Sequence, residues 1–434
     1  MAAKPMRVVI DAAFRPEQAG GVGTYIGALI KALGELDDAG DEYVIVGPQQ
    51  QDAWPQEMLG PNQKMIPEPK PPVRVPAGHR NLAHRAMRRA KRFIRRPSSS
   101  ESQLTPAPMK YGGCRVSDGF YESLGGDLVH FPWQKFCVCA LPSVYNPHDL
   151  QHLHLPQLFS PGDIADRESV FSAACRFATR VVVVSNWTRN DFHRMYGLSH
   201  ERMSIIPWGA PTASCDAPTE NQLSPVKDKL GLTGEFMLYP AACWKHKNHV
   251  RLLHALARVR DVYGKRITLV CSGQKDAGAW DEVAATIREL RLDDLVRFVG
   301  YIPHSELRSL YRAALFVIVP TLFEAFSGPV FEAWLDGAPV ACSNVTDLPE
   351  QVRDAALLFD PWDISAIADA LLRMISDGAL RDQLRERGRA RERQFSWDRT
   401  ARTYRAVYRQ VARHDLTSED RELLGTTYRP EGIA

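Results

Sequence analysis

The chain has 434 residues, is 44% hydrophobic and 24% charged, and carries a formal net charge of +3. At roughly 150 residues per domain this predicts two or three domains of an ordinary water-soluble kind, and it excludes a disordered chain, a collagen-like repeat and a disulfide-stapled miniprotein. No stretch reaches the roughly 18 apolar residues of a membrane-spanning helix, and the start, MAAKPMRVVID, runs into a strand-like segment without an apolar signal core. A cytoplasmic location is therefore expected, with the eight cysteines as reduced thiols. Cys137 and Cys139 form a lone C-x-C with no second Cys/His pair at zinc spacing, so no metal is expected there.

The elements alternate in chain order. Val8 to Ile10 reads as a strand, and Val22 to Leu36 as a helix. Strand-like runs follow at Tyr43 to Val46, Leu128 to Phe131, Val181 to Val184 and Ser204 to Ile206. A stretch rich in Pro, Gly, Thr and Ser, Pro207 to Pro225, separates them from a second series: Phe236 to Tyr239, Ile267 to Cys271, Val296 to Val299, Leu315 to Val319 and Val340 to Cys342. Ile364, Ile367, Ala368, Leu371, Leu372 and Ile375 make an apolar helical stripe. This rhythm predicts an α/β fold of two doubly wound domains facing across a cleft. The expected units are a Rossmann-like domain over 1–210, a linker over 211–224, a second Rossmann-like domain over 225–395, a helix over 396–414 returning to the first domain, and a frayed polar tail over 415–434.

An insertion at 67–108 breaks the pattern. Lys70 to Arg96 holds ten Lys and Arg and no acid, and without those ten cations the chain's balance turns negative. So local an excess favours a docking patch over nucleic-acid binding. Within it Leu82, Ala86, Ala90 and Phe93 share an apolar face, with Arg88, Arg89, Arg92, Arg95 and Arg96 crowding the remainder. Such a helix can lie on an anionic membrane surface or pack on its own domain with a solvated basic face.

The segment richest in chemistry is TLFEAFSGPVFEAWLDG, from Thr321 to Gly337. Glu324 falls in a loop after a strand. Ser327, Gly328 and Pro329 look like a helix start, which offers free N–H groups and a positive dipole end to an anion or a sugar's oxygens. Glu332 then lies one turn into the helix. A loop glutamate can face a reacting sugar and a helix glutamate can accept ribose hydroxyls; the alternatives are a surface residue and a dipole partner. Gly20 to Gly23 follows Asp11 and opens a helix, but it is not a dinucleotide fingerprint.

The segment resembles the signature of retaining glycosyltransferases of family 4, which have the GT-B fold. The resemblance extends to VRFVGYI (Val296 to Ile302), LRSL, YRAA, Gly337 to Val340, Ser343 to Glu350 and AALLFD (Ala355 to Asp360). In the first half it rests on Gly20 to Tyr25, VVSNWTR (Val183 to Arg189) and IPWG (Ile206 to Gly209).

The resemblance implies that Glu324 contacts a donor sugar with backbone N–H groups of Phe326, Ser327 and Gly328. It implies that Glu332 binds the nucleotide ribose and that Lys247, in WKHKNH, opposes the charge of the leaving diphosphate. Positions 241 and 242 are alanine where the family usually has a second, arginine donor, so Lys245 or His246 is the expected replacement. His148 is expected to point across the cleft with Asp149 as its orienter, His152 and His154 to be structural, and the loop Gly20 to Gly23, Gly21 included, to line the acceptor side and approach the donor phosphates; the resemblance makes the first domain acceptor-binding and the second nucleotide-sugar-binding. The implied donor is a nucleotide-diphosphate sugar, GDP-mannose by likeness to mannosyl- and rhamnosyltransferases of bacterial surface polysaccharide assembly. The implied acceptor is a glycan or polyprenol-linked glycan, at the inner face of the plasma membrane; no cofactor and no catalytic metal are implied. Another GT-B enzyme, such as a sugar-nucleotide epimerase or phosphorylase, and a non-catalytic nucleotide-sugar-binding subunit are the alternatives.

Overall fold

The computed structural model describes residues 5–14, 16–37, 40–49, 59–69, 110–111, 113–210, 220–275 and 277–425. The basic helix with Arg88, Arg89, Arg92, Arg95 and Arg96 lies outside them.

The first half is built on β1 (Arg7–Asp11), β2 (Glu42–Gly47) and β3 (Gln63–Pro67). Two short strands, β4 (Lys110–Tyr111) and β5 (Cys114–Val116), precede β6 (Leu128–Phe131). Next come β7 (Cys137–Val138), β8 (Ser143–Tyr145), β9 (Arg180–Val183) and β10 (Met203–Ile205). Seven of these strands form one sheet in the order β10-β9-β8-β6-β1-β2-β3, every pair parallel. Runs such as Val8, Val9 and Ile10 are buried on both faces, as parallel strands covered by helices on both sides require. The strands β4, β5 and β7 make a separate small sheet. Burial there pushes the Cys137 thiol up to about 12, so it behaves as an apolar filler.

The second half carries β11 (Phe236–Pro240), β12 (Thr268–Ser272), β13 (Val296–Gly300), β14 (Phe316–Val319), β15 (Val340–Ser343) and β16 (Leu357–Phe359). Their order is β13-β12-β11-β14-β15-β16, again all parallel. The chain therefore winds one way from β11, jumps back across it, and winds the other way from β14. In the first sheet the same reversal falls between β1 and β6. Ligands of such sheets bind beyond the strand ends at these reversals.

The helix Trp397–Val411 crosses back to the first half. Its Tyr404, Val407, Tyr408 and Val411 are buried with Val8, Ile10, Tyr25, Ile26 and Leu29. A polar chain runs through that contact. His130 Nε2 donates to Asn146 Oδ1 at 2.6 Å, and the Tyr408 hydroxyl donates to His130 Nδ1 at 2.7 Å. Asn146 Nδ2 donates to the Tyr404 hydroxyl at 2.7 Å, which in turn meets Tyr25 at 2.5 Å.

Three local expectations change. The first helix begins at Pro16 and ends at Gly34, with a kink at Gly20. A helix, Glu220–Lys229, begins inside the segment expected to be linker. The polar tail is not frayed over its first part: Ser418–Gly425 is helical, and buried Asp420 accepts from Arg409 at 3.0 Å and from the Thr417 N–H at 2.9 Å. The tail's charges looked solvated because the partners that bury them lie on the preceding helix.

Replacing Tyr408 by Phe should strand His130 Nδ1 without opening a cavity. A loss of about 1–3 kcal/mol in urea unfolding is expected, with ligand affinity unchanged.

Candidate active site

The reversal in the second sheet brings the loops after β11 and β14 side by side. Lys247 follows β11, and Glu324 follows β14. Lys247 Nζ donates to Glu324 Oε2 at 2.7 Å, with both side chains largely enclosed. Each loop is fixed by its own contacts. The Tyr239 hydroxyl, on β11, donates to the Lys247 carbonyl at 2.6 Å. Asn248, in left-handed backbone at φ 62°, donates through Nδ2 to the carbonyls of Pro320 and Pro361, both at 2.9 Å. Thr346, also left-handed at φ 52°, accepts from the Glu324 N–H at 3.1 Å and donates to its carbonyl at 2.5 Å. Non-glycine residues rarely hold this conformation without surrounding structure to enforce it.

Gly328–Leu335 is the helix that follows, with proline in its first turn and Ser327 as its cap. Ser327 is wholly buried, and its Oγ has no hydrogen-bond partner. Its backbone N–H, expected to hold a donor, is instead taken by Gln351 Oε1 at 3.0 Å, and Gln351 Nε2 returns a bond to the Ser327 carbonyl at 3.0 Å. That leaves Phe326, Gly328 and the Ser327 hydroxyl as the polar groups this turn can offer. Glu332 accepts the Tyr311 hydroxyl at 2.6 Å. Burial holds its carboxyl above the usual carboxylate range, opposed by that hydrogen bond.

In the first half, His148 sits just beyond β8, also left-handed at φ 67°. Its Nε2 donates to the Pro132 carbonyl at 2.8 Å, and its buried Nδ1 has no partner. Pro132, not Asp149, orients the ring. Asp149 instead accepts from the Gln151 N–H at 3.2 Å. Burial pushes the His148 imidazole down to about 4, so near neutral pH Nδ1 is a lone-pair acceptor. The ring does not hang free in the cleft. It packs edge-on against Tyr25 and Trp208, and Trp208 meets Phe326 of the opposite half at 4.5 Å between centroids.

Of the proposed replacements for the missing arginine, Lys245 is exposed. His246 is pushed down to about 3 by burial and stacks on Trp244, so it can offer only a neutral N–H. The backbone at Ala241 and Ala242 runs so close to Gly273 that a Cβ there would lie 2.7 Å from the Ala241 carbonyl. Gly21 is open, whereas Gly20 carries the unusual backbone, and a Cβ on it would come to 3.9 Å from Trp244. His152 pairs with Glu168 and His154 with Asp191, each at 2.7 Å. Among the described residues no group of three or more His, Cys, Asp or Glu could hold a metal ion.

The halves are joined by a contact that spacing alone did not reveal. The helix Asn186–Tyr196 begins in the first half, and Glu350 of the second accepts from the N–H groups of Asn186 at 3.0 Å and Trp187 at 3.2 Å. Asp347 accepts from Thr188 Oγ1 at 2.6 Å and from the Ser185 hydroxyl. Carboxylates thus cap a helix N-terminus across the cleft, where the dipole favours them. The motifs VVSNWTR and SNVTDLPE contain these residues, but nothing local says that they meet.

Residues 122–214 match the family model described as Glycosyltransferase Family 4, and residues 223–391 that of Glycosyl transferases group 1. The fold and these matches define a glycosyltransferase of the GT-B class. The chain belongs to the glycosyltransferases that join a family 4 domain to a group 1 domain. O-antigen chain mannosyltransferase B of Escherichia coli is 31% identical over 256 residues, 58% of this chain and 66% of that one. Serotype-specific mannosyltransferase WbdA of the same species is 26% identical over 290 residues, 66% of this chain but 34% of WbdA. The chain therefore spans two thirds of the first relative's length at most, and about a third of the second's. Among solved structures, Anabaena HepE in complex with UDP and glucose superposes with a TM-score of 0.65 at 17% identity, covering 93% of this chain and all of that one.

Burial depresses four histidines, His130 and His148 to about 4 and His246 and His249 to about 3, from 6.5 when unfolded. Between about pH 6.5 and 4 the unfolded chain takes up protons that the folded one refuses, so stability falls as pH falls. Urea midpoints should drop across this window, and His148→Gln should flatten part of the slope.

Proposed function

We propose that this chain is a retaining hexosyltransferase. It moves a sugar from a nucleotide diphosphate, GDP-mannose in the favoured reading, to a hydroxyl of a glycan or polyprenol-linked glycan. The observation that carries the reading is the Lys247–Glu324 pair at the sheet reversal, beside a helix N-terminus whose buried Ser327 hydroxyl lacks a partner. The mannosyltransferase names of the E. coli relatives favour mannose.

In this mechanism the donor diphosphate draws Lys247 away from Glu324. The carboxylate so released accepts hydroxyls of the hexose. The Phe326 and Gly328 N–H groups and the Ser327 hydroxyl face the phosphate-proximal end of the donor, and Glu332 accepts the ribose hydroxyls. The bond from the anomeric carbon to the diphosphate oxygen breaks with little nucleophilic push, and the acceptor oxygen bonds to the same face. Its proton passes to the leaving diphosphate. Lys247 and the helix N-terminus oppose the growing charge. His148, a neutral acceptor through Nδ1, takes a sugar hydroxyl from the opposite wall, and closure of the halves limits hydrolysis.

GDP and GDP-mannose should raise the melting temperature by mass action. Glu324→Ala should abolish transfer while keeping the fold, and Lys247→Ala should lower turnover by roughly 10²–10³-fold. Near-normal turnover of Glu324→Ala, or no thermal response to any nucleotide diphosphate, overturns the proposal.

The basic segment is read as a peripheral anchor for a lipid-linked acceptor at an anionic membrane face. No helix of the described residues is long and apolar enough to cross a membrane. Sedimentation with anionic vesicles should be salt-sensitive and should be lost when Arg88, Arg89, Arg92, Arg95 and Arg96 become Gln; unchanged sedimentation would make the segment a structural insertion.

A further inference from the structure

We propose that the groove between the helices His249–Tyr263 and Ala277–Glu289 is a subsite for the sugar residues of the acceptor glycan that lie away from the reacting hydroxyl. The inference rests on the reading that the acceptor is a glycan. The groove encloses about 490 Å³. Lys247, Glu324, Ser327 and Glu332 do not line it, so it is separate from the Lys247–Glu324 pair and the helix turn, and of the residues expected at the donor it shares only Lys245. It nevertheless adjoins them. Lys245 and Asn248 flank Lys247 in the chain, and Leu322 stands two residues before Glu324. Gln157 and Leu158 of the first half form part of the wall, so the groove opens at the cleft.

The chemistry of the walls selects a saccharide. Trp244 and Trp362 are 48% and 49% exposed, the two exposed tryptophans among the described residues, and both line this groove. An indole half in water still offers a flat apolar face beside its protein contacts, and the C–H face of a pyranose is its complement. Arg251 lies 4.9 Å above the Trp362 ring and is steadied by donating to Asn248 Oδ1 at 3.1 Å. His254, Glu282 and Gln157 add both donors and acceptors, the mixture that alternating sugar hydroxyls need. An acidic Glu282 among the cations disfavours a phosphate. His249 gives an independent sign of a missing ligand. It lines the groove at 4% exposure, and neither ring nitrogen has a partner; buried polar atoms of this kind normally have one. Trp244 also sits against Gly20, on the side where the acceptor is expected. A glycan reaching from the reacting centre would therefore meet Trp244 first and Trp362 further out.

The test uses the full chain with GDP-mannose and manno-oligosaccharides of increasing length. Trp362→Ala should raise KM by at least about fivefold for longer acceptors, with kcat and the KM of the shortest acceptor unchanged, and Trp362→Phe should restore the length dependence. A separate arm needs no transfer: tryptophan fluorescence of the wild type should respond to a manno-oligosaccharide without donor, and Trp362→Ala should need at least about fivefold more of it for the same response. If no donor supports transfer but this response persists, the mechanism fails and the subsite stands. Equal KM values for wild type and Trp362→Ala at every length overturn the subsite. So does a wild type silent to the oligosaccharide, or a Trp362-dependent response to GDP alone.

Discussion

Lys247 and Glu324 are 77 residues apart and touch because the second sheet reverses its winding between β11 and β14. Parallel strands deliver every loop of one kind to the same edge, and the reversal is where two such loops part enough to admit a ligand. An ammonium and a carboxylate held there, largely out of water, form a poised pair. Each satisfies the other until something with more charge or more hydroxyls arrives. The rest of the site consists of supports for this arrangement.

Those supports share a plan. The Glu324 loop is gripped through its backbone by Thr346, and the next turn is gripped by Gln351 at both Ser327 polar backbone groups. Asn248 ties the Lys247 loop to the ends of two neighbouring segments. His148, Asn248 and Thr346 all adopt left-handed backbone where glycine would be easier. Strain of this kind persists only where surrounding contacts over-determine it. Here those contacts leave the functional side chains little freedom to relax.

The two halves meet through charge placed on a helix end as well as through apolar packing. Asp347 and Glu350 cap the helix Asn186–Tyr196, while Phe323 packs on Trp187 and His154, and Phe326 on Trp208. Asp347 is buried, and that burial pushes its carboxyl well up, opposed by the Ser185 and Thr188 hydroxyls. Asp347 and Glu350 are close neighbours of Thr346 and Gln351, which hold the Glu324 turn. A change at the junction of the halves is therefore felt at the Glu324 loop through one short segment.

Local pattern alone disclosed much of this. Short β-branched apolar runs such as Val8 to Ile10 and Leu315 to Val319 favour buried parallel strands, and the stripe through Ile367, Ala368 and Leu371 favours a helix facing a core. Serine, glycine and proline before Val330 mark a helix start wherever the chain goes. The sequence could not say which loops become neighbours, because strand order depends on crossovers that leave no periodic trace. Folding therefore decided that Glu324 pairs with Lys247, that Gln351 consumes the Ser327 N–H, that Pro132 orients His148, and that Glu350 caps a helix of the other half. It also exposed Trp244 and Trp362 along one groove, since an indole's surroundings are set by elements distant in the chain.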